Sequence, residues 1–300
     1  MLIPIRKYEK NVSFHTRRKN MSEKQMQIGV LGMLREDGNN PFAAIGENGF
    51  KTAQLQCWKM DILTEQMAET VRGYMEKSSV RLAAYWAGYT GPIAWNSYDG
   101  PITCGLVPRD KRALRISDLK KGADFAKMIG APAIITHCGF IPENPHDELY
   151  QETLDAIREV AEYCGERDLG FWFETGQETP LTLLRTMEDL DLPNLGVNLD
   201  TANLILYGRG NPVDALSLLG KRVKNLHMKD GLLPENGHVL GKEVPLGEGI
   251  ADIDRIIGML HKLDFTGELI IEREISGPQQ LSDILKARAF LESLIAKYSK

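Results

Sequence analysis

Short apolar runs alternate with longer segments of helical periodicity along most of this chain. Eight such runs, each four to seven residues long, read QIGVLG, TAQLQC, VRLAAY, AIIT, LGFWFE, NLGVNLD, VKNLH and GELIIE. They begin at residues 27, 52, 80, 133, 169, 194, 223 and 267. Apolar runs of this length, bounded by turn-forming residues, are typical of buried β-strands.

The intervening segments have the spacing of amphipathic helices. One helix face is marked at i, i+3, i+4 and i+7 by Ile253, Ile256, Ile257 and Leu260. Helices are predicted over residues 41–47, 64–77, 116–129, 147–167 and 251–263, from Pro180, after Pro212, and up to about residue 298. Between the third run and its helix, residues 86–110 predict a long aromatic loop.

Eight strand–helix units in a single series predict a parallel sheet with helices outside it. Eight such units close into a (β/α)8 TIM barrel, which leaves no exposed sheet edge. We therefore expect one α/β catalytic domain over residues 25–300. Residues 1–24 carry seven Lys/Arg against two Glu and show no sustained period, so we expect a flexible basic tail there rather than a targeting arm.

Net charge, apolar run length and cysteine spacing exclude several classes of function. The net charge of −5 and the pI near 5.8 argue against a nucleic-acid or anionic-membrane partner. No apolar run approaches the ~18 residues of a membrane span. The four cysteines are widely spaced without a CxxC pair, which predicts neither a disulfide framework nor a zinc knuckle and favours a cytoplasmic location. Oligomeric state is left open, and a homo-oligomer is compatible with these features.

Acidic or imidazole side chains end four successive runs, namely Glu174, Asp200, His227 and Glu272. Parallel strands of a barrel bring their carboxyl ends onto one rim, so these residues are expected to converge. Strand alternation places Glu174 and Asp200 on faces of mixed polarity, whereas the opposite faces are purely apolar. We expect the apolar faces to pack against the helices and the acidic faces to point inward.

Three carboxylates and one imidazole at a single rim form an oxygen-rich site for a divalent metal ion. An uncompensated cluster of carboxylates would repel itself, and a cation relieves this repulsion. A strand-end acid such as Asp200 has the alternative role of capping the following helix. Glu274 shares a strand face with Glu272 and is the main competitor for the fourth ligand position.

The ordered motifs FETG, LDTAN, HMKD and PLGEGIADIDRIIGMLHKLDFTGELIIERE resemble the xylose-isomerase-like TIM-barrel family of sugar isomerases and epimerases, over roughly residues 26–297. The resemblance implies that Glu174, Asp200, His227 and Glu272 hold one divalent ion, with Mn²⁺ first and Mg²⁺, Co²⁺ or Zn²⁺ as alternatives. It also implies that Glu174 and Glu272 are the catalytic acid/base pair. Asn203 stands where this family often has a substrate-contacting histidine.

A metal-dependent isomerase or epimerase of this kind moves a proton next to the carbonyl of a ketose or keto-sugar, through an enediolate. Return of the proton to the opposite face of the same carbon gives an epimer, and return to the neighbouring carbon gives an isomer. Two alternatives stay open at this point. One is a lyase or dehydratase on the same centre, resembling inosose dehydratases or enzymes that cleave keto-glycosides, and the other is a sugar-binding barrel without catalysis.

Further side chains are candidates for contacting the small-molecule sugar substrate. Each has a plainer alternative, such as a backbone-bonded histidine, ordinary loop packing or a loop anchor. Aromatic faces stack on the C–H faces of sugars, which favours a tryptophan at the rim. The candidates are His137, Asn203, Trp86, Lys229 and Asp230.

Overall fold

Eight parallel strands close into a barrel in this computed structural model, which describes residues 26–37 and 39–299. In chain order the strands are Gln27–Met33 (β1), Thr52–Cys57 (β2), Arg81–Ala87 (β3), Ala133–Thr136 (β4), Gly170–Glu174 (β5), Leu195–Asp200 (β6), Val223–Met228 (β7), Asp230–Leu232 (β8), Lys242–Val244 (β9) and Glu268–Ile271 (β10). The barrel order is β1-β10-β7-β6-β5-β4-β3-β2, while β8 and β9 form a separate antiparallel hairpin. The predicted (β/α)8 fold is confirmed, and the tail predicted over 1–24 lies outside the described residues.

Helices follow the barrel strands on the outside. Their bounds are Pro41–Glu47 (α1), Glu65–Ser78 (α2), Arg109–Met128 (α3), Glu148–Gly165 (α4), Pro180–Leu190 (α5), Asn203–Leu206 (α6), Pro212–Leu219 (α7), Ile253–Lys262 (α8) and Pro278–Tyr298 (α9). Asn40, Thr64, Asp147, Thr179, Asn211 and Asp252 cap six of them by accepting backbone N–H bonds. In the described part of the chain, none of the helices is long and apolar enough to span a bilayer.

The two faces of the strands enter different cores, as the alternation predicts. Phe171, Phe173, Val197 and Leu199 belong to the large cluster that also contains the buried faces of the helices. A second, small cluster of Ala84, Trp86 and Ile135, with Trp58 and Trp172 packed against it, fills part of the barrel interior. The inward faces of β5 and β6 therefore carry Glu174 and Asp200 to the rim.

The predicted outline differs from the structure in helix α3, in the β8–β9 hairpin and in the short helix α6, which was not predicted. Helix α3 begins at Arg109, seven residues before its predicted start. Its first turns lack an apolar stripe, and two of their arginines bond the preceding loop instead: Arg112 Nε donates to the Leu106 carbonyl at 2.8 Å and Arg115 Nη1 to the Gly105 carbonyl at 2.7 Å. The β8–β9 hairpin was not predicted, since its strands are only three residues long each.

A candidate metal centre at the barrel rim

Glu174, Asp200, His227 and Glu272 converge at the carboxyl ends of β5, β6, β7 and β10. One ligand atom of each lies within 4.8 Å of the others. From Nδ1 of His227 the distances are 2.8 Å to Glu174 Oε1, 3.1 Å to Glu272 Oε2 and 3.8 Å to Asp200 Oδ2. The side chain of Glu272 is 13% exposed, whereas the other three are at most 1% exposed. Residues 98 positions apart in sequence thus form one buried cluster.

The unsatisfied atoms of this cluster fit a divalent cation. Asp200 Oδ2 is buried without a hydrogen-bond partner, and His227 Nδ1 lies close to two carboxylates without hydrogen-bond geometry to either. Buried polar atoms without partners are rare and costly in folded proteins. Three carboxylates and a ring nitrogen form a donor set suited to Mn²⁺, Mg²⁺, Co²⁺ or Zn²⁺. The chemistry of the donors and their orphaned atoms therefore agree with the predicted metal set.

Asp200 performs two tasks with its two oxygens. Oδ1 accepts the backbone N–H groups of Ala202 and Asn203, each at 2.7 Å, at the start of α6. Oδ2 is the buried atom without a partner. The helix-capping alternative and the ligand prediction are therefore compatible, because each uses a different oxygen.

A chain of amide hydrogen bonds below the cluster was not predicted. His227 Nε2 lies 2.6 Å from Gln54 Oε1. Gln54 Nε2 donates to Asn198 Oδ1 at 3.1 Å, and Asn198 Nδ2 donates to the carboxylate of Glu174. Period-2 alternation in TAQLQC and NLGVNLD places Gln54 and Asn198 on inward faces. A buried amide in a strand needs a hydrogen-bond partner, and this is the sequence feature that points to such a chain.

Lys229 is buried between two glutamates. Its Nζ lies 2.9 Å from Glu274 Oε2 and 3.5 Å from Glu272 Oε2, and it donates to Asn203 Oδ1 at 3.4 Å. The side chain of Glu274 is 59% exposed and lies outside the cluster of four candidate metal ligands. Between the two competing glutamates, the geometry therefore favours Glu272 as the fourth ligand.

The two candidate acid/base residues have opposite electrostatic environments. Burial raises the pKa of Glu174 above its ordinary value, although the charge of His227 opposes this. Burial by itself would also raise the pKa of Glu272, but Lys229 and His227 outweigh it and lower that pKa. Environments that separate the proton affinities of two carboxyls are a recurring feature of acid/base pairs.

Aromatic rings line the rim on the side of β3 and β4. Trp86 lies 4.8 Å from the Trp58 ring and 5.5 Å from His137, and Trp95 lies 5.4 Å from His137, between ring centroids. Burial lowers the pKa of His137 to about 3, which keeps the imidazole neutral near pH 7. Its Nδ1 is buried without a partner, so it offers an unused hydrogen-bonding atom next to the tryptophans.

Gln177, in the loop after β5, was not among the sequence candidates. It is 1% exposed, and neither atom of its amide has a hydrogen-bond partner. Asn203, a sequence candidate, is 7% exposed. Its Cβ lies 3.0 Å from the position that a side chain at Gly176 would occupy, so it packs against the same loop. Loop residues have no periodicity, which explains why the sequence carried no signal for Gln177.

Asp230 has its oxygens occupied by backbone donors. Oδ1 accepts from Gly231 at 2.9 Å and Ala251 at 3.1 Å, and Oδ2 from Gly247 at 3.0 Å and Gly249 at 3.1 Å. A Cβ at Gly249 would meet Asp230 Oδ1 at 2.1 Å, so only glycine fits there. The geometry favours the loop-anchor alternative for Asp230 over substrate contact.

Comparison with known proteins identifies the relatives of this barrel. The sequence pattern of the family described as xylose isomerase-like TIM barrel matches residues 42–294. The chain belongs to this family. A solved structure of a xylose isomerase domain protein from Planctomyces limnophilus has a TM-score of 0.87 at 31% identity, covering 92% of this chain and 99% of that one.

Two curated proteins are also similar. An uncharacterized protein of Methanocaldococcus jannaschii is 22% identical over 285 residues, which span 90% of this chain and 89% of that protein. A putative L-ribulose-5-phosphate 3-epimerase of Escherichia coli K12 is 33% identical over 109 residues, which span 35% of this chain and 37% of that protein.

More distant members of the xylose isomerase-like fold include epimerases and a dehydratase. An L-ribulose 3-epimerase has a TM-score of 0.68 at 16% identity over 91% of this chain and 96% of its own. A probable 3-DHS dehydratase from Bacillus anthracis has a TM-score of 0.64 at 19% identity over 89% and 99% of the respective chains. A Mycobacterium smegmatis protein in complex with magnesium has a TM-score of 0.66 at 16% identity over 91% and 97%. At these identities the likeness concerns the fold alone.

Proposed function

We propose that this protein is a divalent-metal-dependent isomerase or epimerase that moves a proton on the carbon next to the carbonyl of a ketose or keto-sugar. The observation that carries the proposal is the rim cluster of Glu174, Asp200, His227 and Glu272, in which three carboxylates surround His227 Nδ1 and Asp200 Oδ2 has no hydrogen-bond partner. Membership of a family whose relatives include sugar epimerases supports it.

All four cluster residues would hold the ion. When bound, a divalent ion would supply Lewis-acid polarisation of a substrate carbonyl, which acidifies the adjacent C–H. Glu174 and Glu272 stand on β5 and directly after β10, on different parts of the barrel wall. One carboxylate takes the proton from carbon, and the other returns a proton to the opposite face or to the neighbouring carbon. Asp200 and His227 act as ligands.

The substrate is expected to be unphosphorylated, because the basic side chains beside the cluster already have carboxylate partners. Lys229 pairs with Glu272 and Glu274. Arg273 pairs with Glu243 at 2.8 Å and with Asp283 at 2.9 Å. A phosphoryl group would have to compete with these carboxylates, of which only Glu274 is exposed, for the same cations. Neutral hydroxyl groups need only hydrogen-bonding atoms, such as those of His137 and Gln177.

A lyase on the same centre is the second candidate, and Lys229 is the observation that favours it. Its ammonium carries protons within 3.5 Å of the Glu272 carboxylate. Elimination next to a carbonyl requires one group to remove the carbon-bound proton and another to protonate the departing oxygen. Glu272 and Lys229 are close enough to divide these two tasks.

The experiment is incubation of metal-supplemented protein with unphosphorylated ketoses and keto-glycosides in deuterium oxide, with products resolved by NMR. Deuterium at one carbon of an epimer or isomer supports the leading proposal, and a dehydrated product or released aglycone selects the lyase. Glu174→Gln and Glu272→Gln are expected to abolish turnover. Glu268→Gln, at the other end of β10, is the control. Sugar binding without turnover or exchange in the wild type would overturn both enzymatic proposals.

A further inference from the structure

Four buried side chains form a continuous hydrogen-bonded chain beneath the rim cluster. It runs from Glu174 through Asn198 and Gln54 to His227, and each of these residues is at most 2% exposed. Asn198 precedes Asp200 by two residues on the same face of β6, and Gln54 lies on β2 across the barrel interior. The chain therefore links the proposed ligands Glu174 and His227 through two side chains that come from other strands, β6 and β2.

The bonds of this chain all run in one direction, which starts at Glu174. Asn198 presents its NH₂ group to the Glu174 side chain and donates to Oε2. This leaves Asn198 Oδ1 facing Gln54, which must donate with its own NH₂ group. Gln54 Oε1 then faces His227 Nε2 at 2.6 Å, and an oxygen at that distance requires Nε2 to carry the hydrogen.

The reverse arrangement would place acceptors against each other. With both amides turned over, Asn198 Oδ1 would face the Glu174 carboxylate in a fully buried position. Two buried acceptors in contact lose a hydrogen bond and leave both groups unsatisfied, which costs ~1–3 kcal/mol per group. The chain therefore has a single favourable direction, and that direction ends on the ring of His227.

We propose that Gln54 and Asn198 are positioning residues that hold His227 with its hydrogen on Nε2 and its Nδ1 lone pair directed into the rim cluster. His227 Nδ1 is the ring atom that lies 2.8 Å from Glu174, 3.1 Å from Glu272 and 3.8 Å from Asp200. A metal-ligating histidine needs this lone pair free, and partners of its other nitrogen commonly change metal affinity by ~10–100-fold. The ligand part of this inference rests on the proposed function, whereas the hydrogen position on the ring does not.

The test uses Asn198→Leu, because Asn198 makes its hydrogen bonds to Glu174 and Gln54 and reaches His227 only through Gln54. Without Asn198, the Gln54 amide is free to turn and to donate to Nε2. Two measurements are made on the full-length protein. Long-range ¹H–¹⁵N spectra of the histidine rings are recorded with Mg²⁺ or Zn²⁺ added, and calorimetry gives the dissociation constant for Mn²⁺. Gln54→Met, which removes both the donor and the acceptor, is the second variant should Asn198→Leu fail to fold.

Asn225→Leu is the matched control. Asn225 is fully buried, lies opposite Asn198 in the β6–β7 register and is two residues before His227, but is not part of the chain. We expect the wild type and Asn225→Leu to show a protonated Nε2 and an unprotonated Nδ1. In Asn198→Leu and Gln54→Met we expect His227 to lose the Nε2 hydrogen or to show a mixture of Nε2-protonated and Nδ1-protonated rings. We also expect Mn²⁺ to bind ~10–100-fold more weakly.

An unchanged His227 signature in Asn198→Leu or Gln54→Met would overturn the proposal, as would an equal change in Asn225→Leu. If the wild type binds no divalent ion, the proposed function fails and the spectra of the metal-free protein decide the inference by themselves. In that case, an exchange-protected Nε2 hydrogen in the wild type and Asn225→Leu, absent from Asn198→Leu and Gln54→Met, supports it. Equal exchange in all four proteins overturns it.

Discussion

The ammonium of Lys229 lies 2.9 Å from the Glu274 carboxylate, in an ion pair with one partner buried and the other largely exposed. Lys229 is 2% exposed and the side chain of Glu274 is 59% exposed. The same ammonium lies 3.5 Å from the proposed ligand Glu272. Lys229 therefore connects the buried centre with the solvent-facing lip of the barrel, and it contributes to the low pKa of Glu272.

Lys229→Met is expected to reduce kcat/KM by ~100-fold or more. The substitution removes the ammonium beside the largely buried carboxylate of Glu272, and breaking a buried ion pair commonly costs ~3–5 kcal/mol. Steady-state kinetics and urea unfolding measure the two effects. Lys224→Met, at an exposed position of β7, is the control and should leave both unchanged. A fully active Lys229→Met protein would show that this ammonium has no part in the centre.

Asp200→Asn should separate metal binding from folding. The amide oxygen can keep the two hydrogen bonds from Ala202 and Asn203, while the partnerless Oδ2 is replaced by a poor metal ligand. We expect Mn²⁺ at 100 times its Kd to stabilise the folded wild type by ~2.7 kcal/mol, and therefore to raise its Tm. The variant should show little Mn²⁺-dependent rise but a similar Tm in chelator. Equal rises in both proteins would contradict the assignment of Asp200 as a ligand.

Trp95→Ala should mainly weaken substrate binding. Trp95 is 37% exposed and lies against His137 and Trp58, at ring-centroid distances of 5.4 Å and 5.8 Å. Loss of a stacking surface for a sugar face is expected to raise KM by ~5–10-fold, in line with the ~0.5–1.5 kcal/mol of an aromatic contact. Ile102→Ala, in the same loop and 71% exposed, is the control for loop disturbance. A Trp95→Ala protein with wild-type KM would remove this residue from the proposed sugar site.

Glu178→Gln should become more stable relative to the wild type as pH rises. Burial raises the pKa of Glu178 to about 8, from 4.5 for the free side chain. A raised folded-state pKa gives stability that is complete below pH ~4.5 and is lost as pH rises through 8. Between pH 5 and 8 the relative gain of the variant is expected to be ~2–4 kcal/mol, since each pKa unit corresponds to ~1.4 kcal/mol.

Unfolding of wild type and Glu178→Gln at pH 5, 6.5 and 8 measures this gain. Glu162→Gln, on the exposed face of α4, is the control and should follow the wild type at every pH. A constant difference between Glu178→Gln and the wild type across this range would show that Glu178 is ionised in the folded protein.

The local sequence pattern was sufficient to predict the barrel strands and the inward direction of the Glu174 and Asp200 side chains. Each predicted barrel strand ends within two residues of its observed end, and the alternation in β5 and β6 correctly separated the helix-facing residues from the inward ones. This succeeds because burying an apolar face is a property of each strand by itself. Helix α3 shows the limit, since its first turns are held by arginine bonds to a loop rather than by an apolar face.

The sequence by itself determined the eight-strand series and which four side chains end strands on the inner face. Tertiary structure alone decided which atoms remain without partners. Gln54 meets His227 across 173 positions of chain, and Asp230 is occupied by loop N–H groups up to 21 positions away. Hydrogen bonds act over about 3 Å, so such pairings depend on how the closed barrel and its loops bring distant segments together, and no local spacing encodes them.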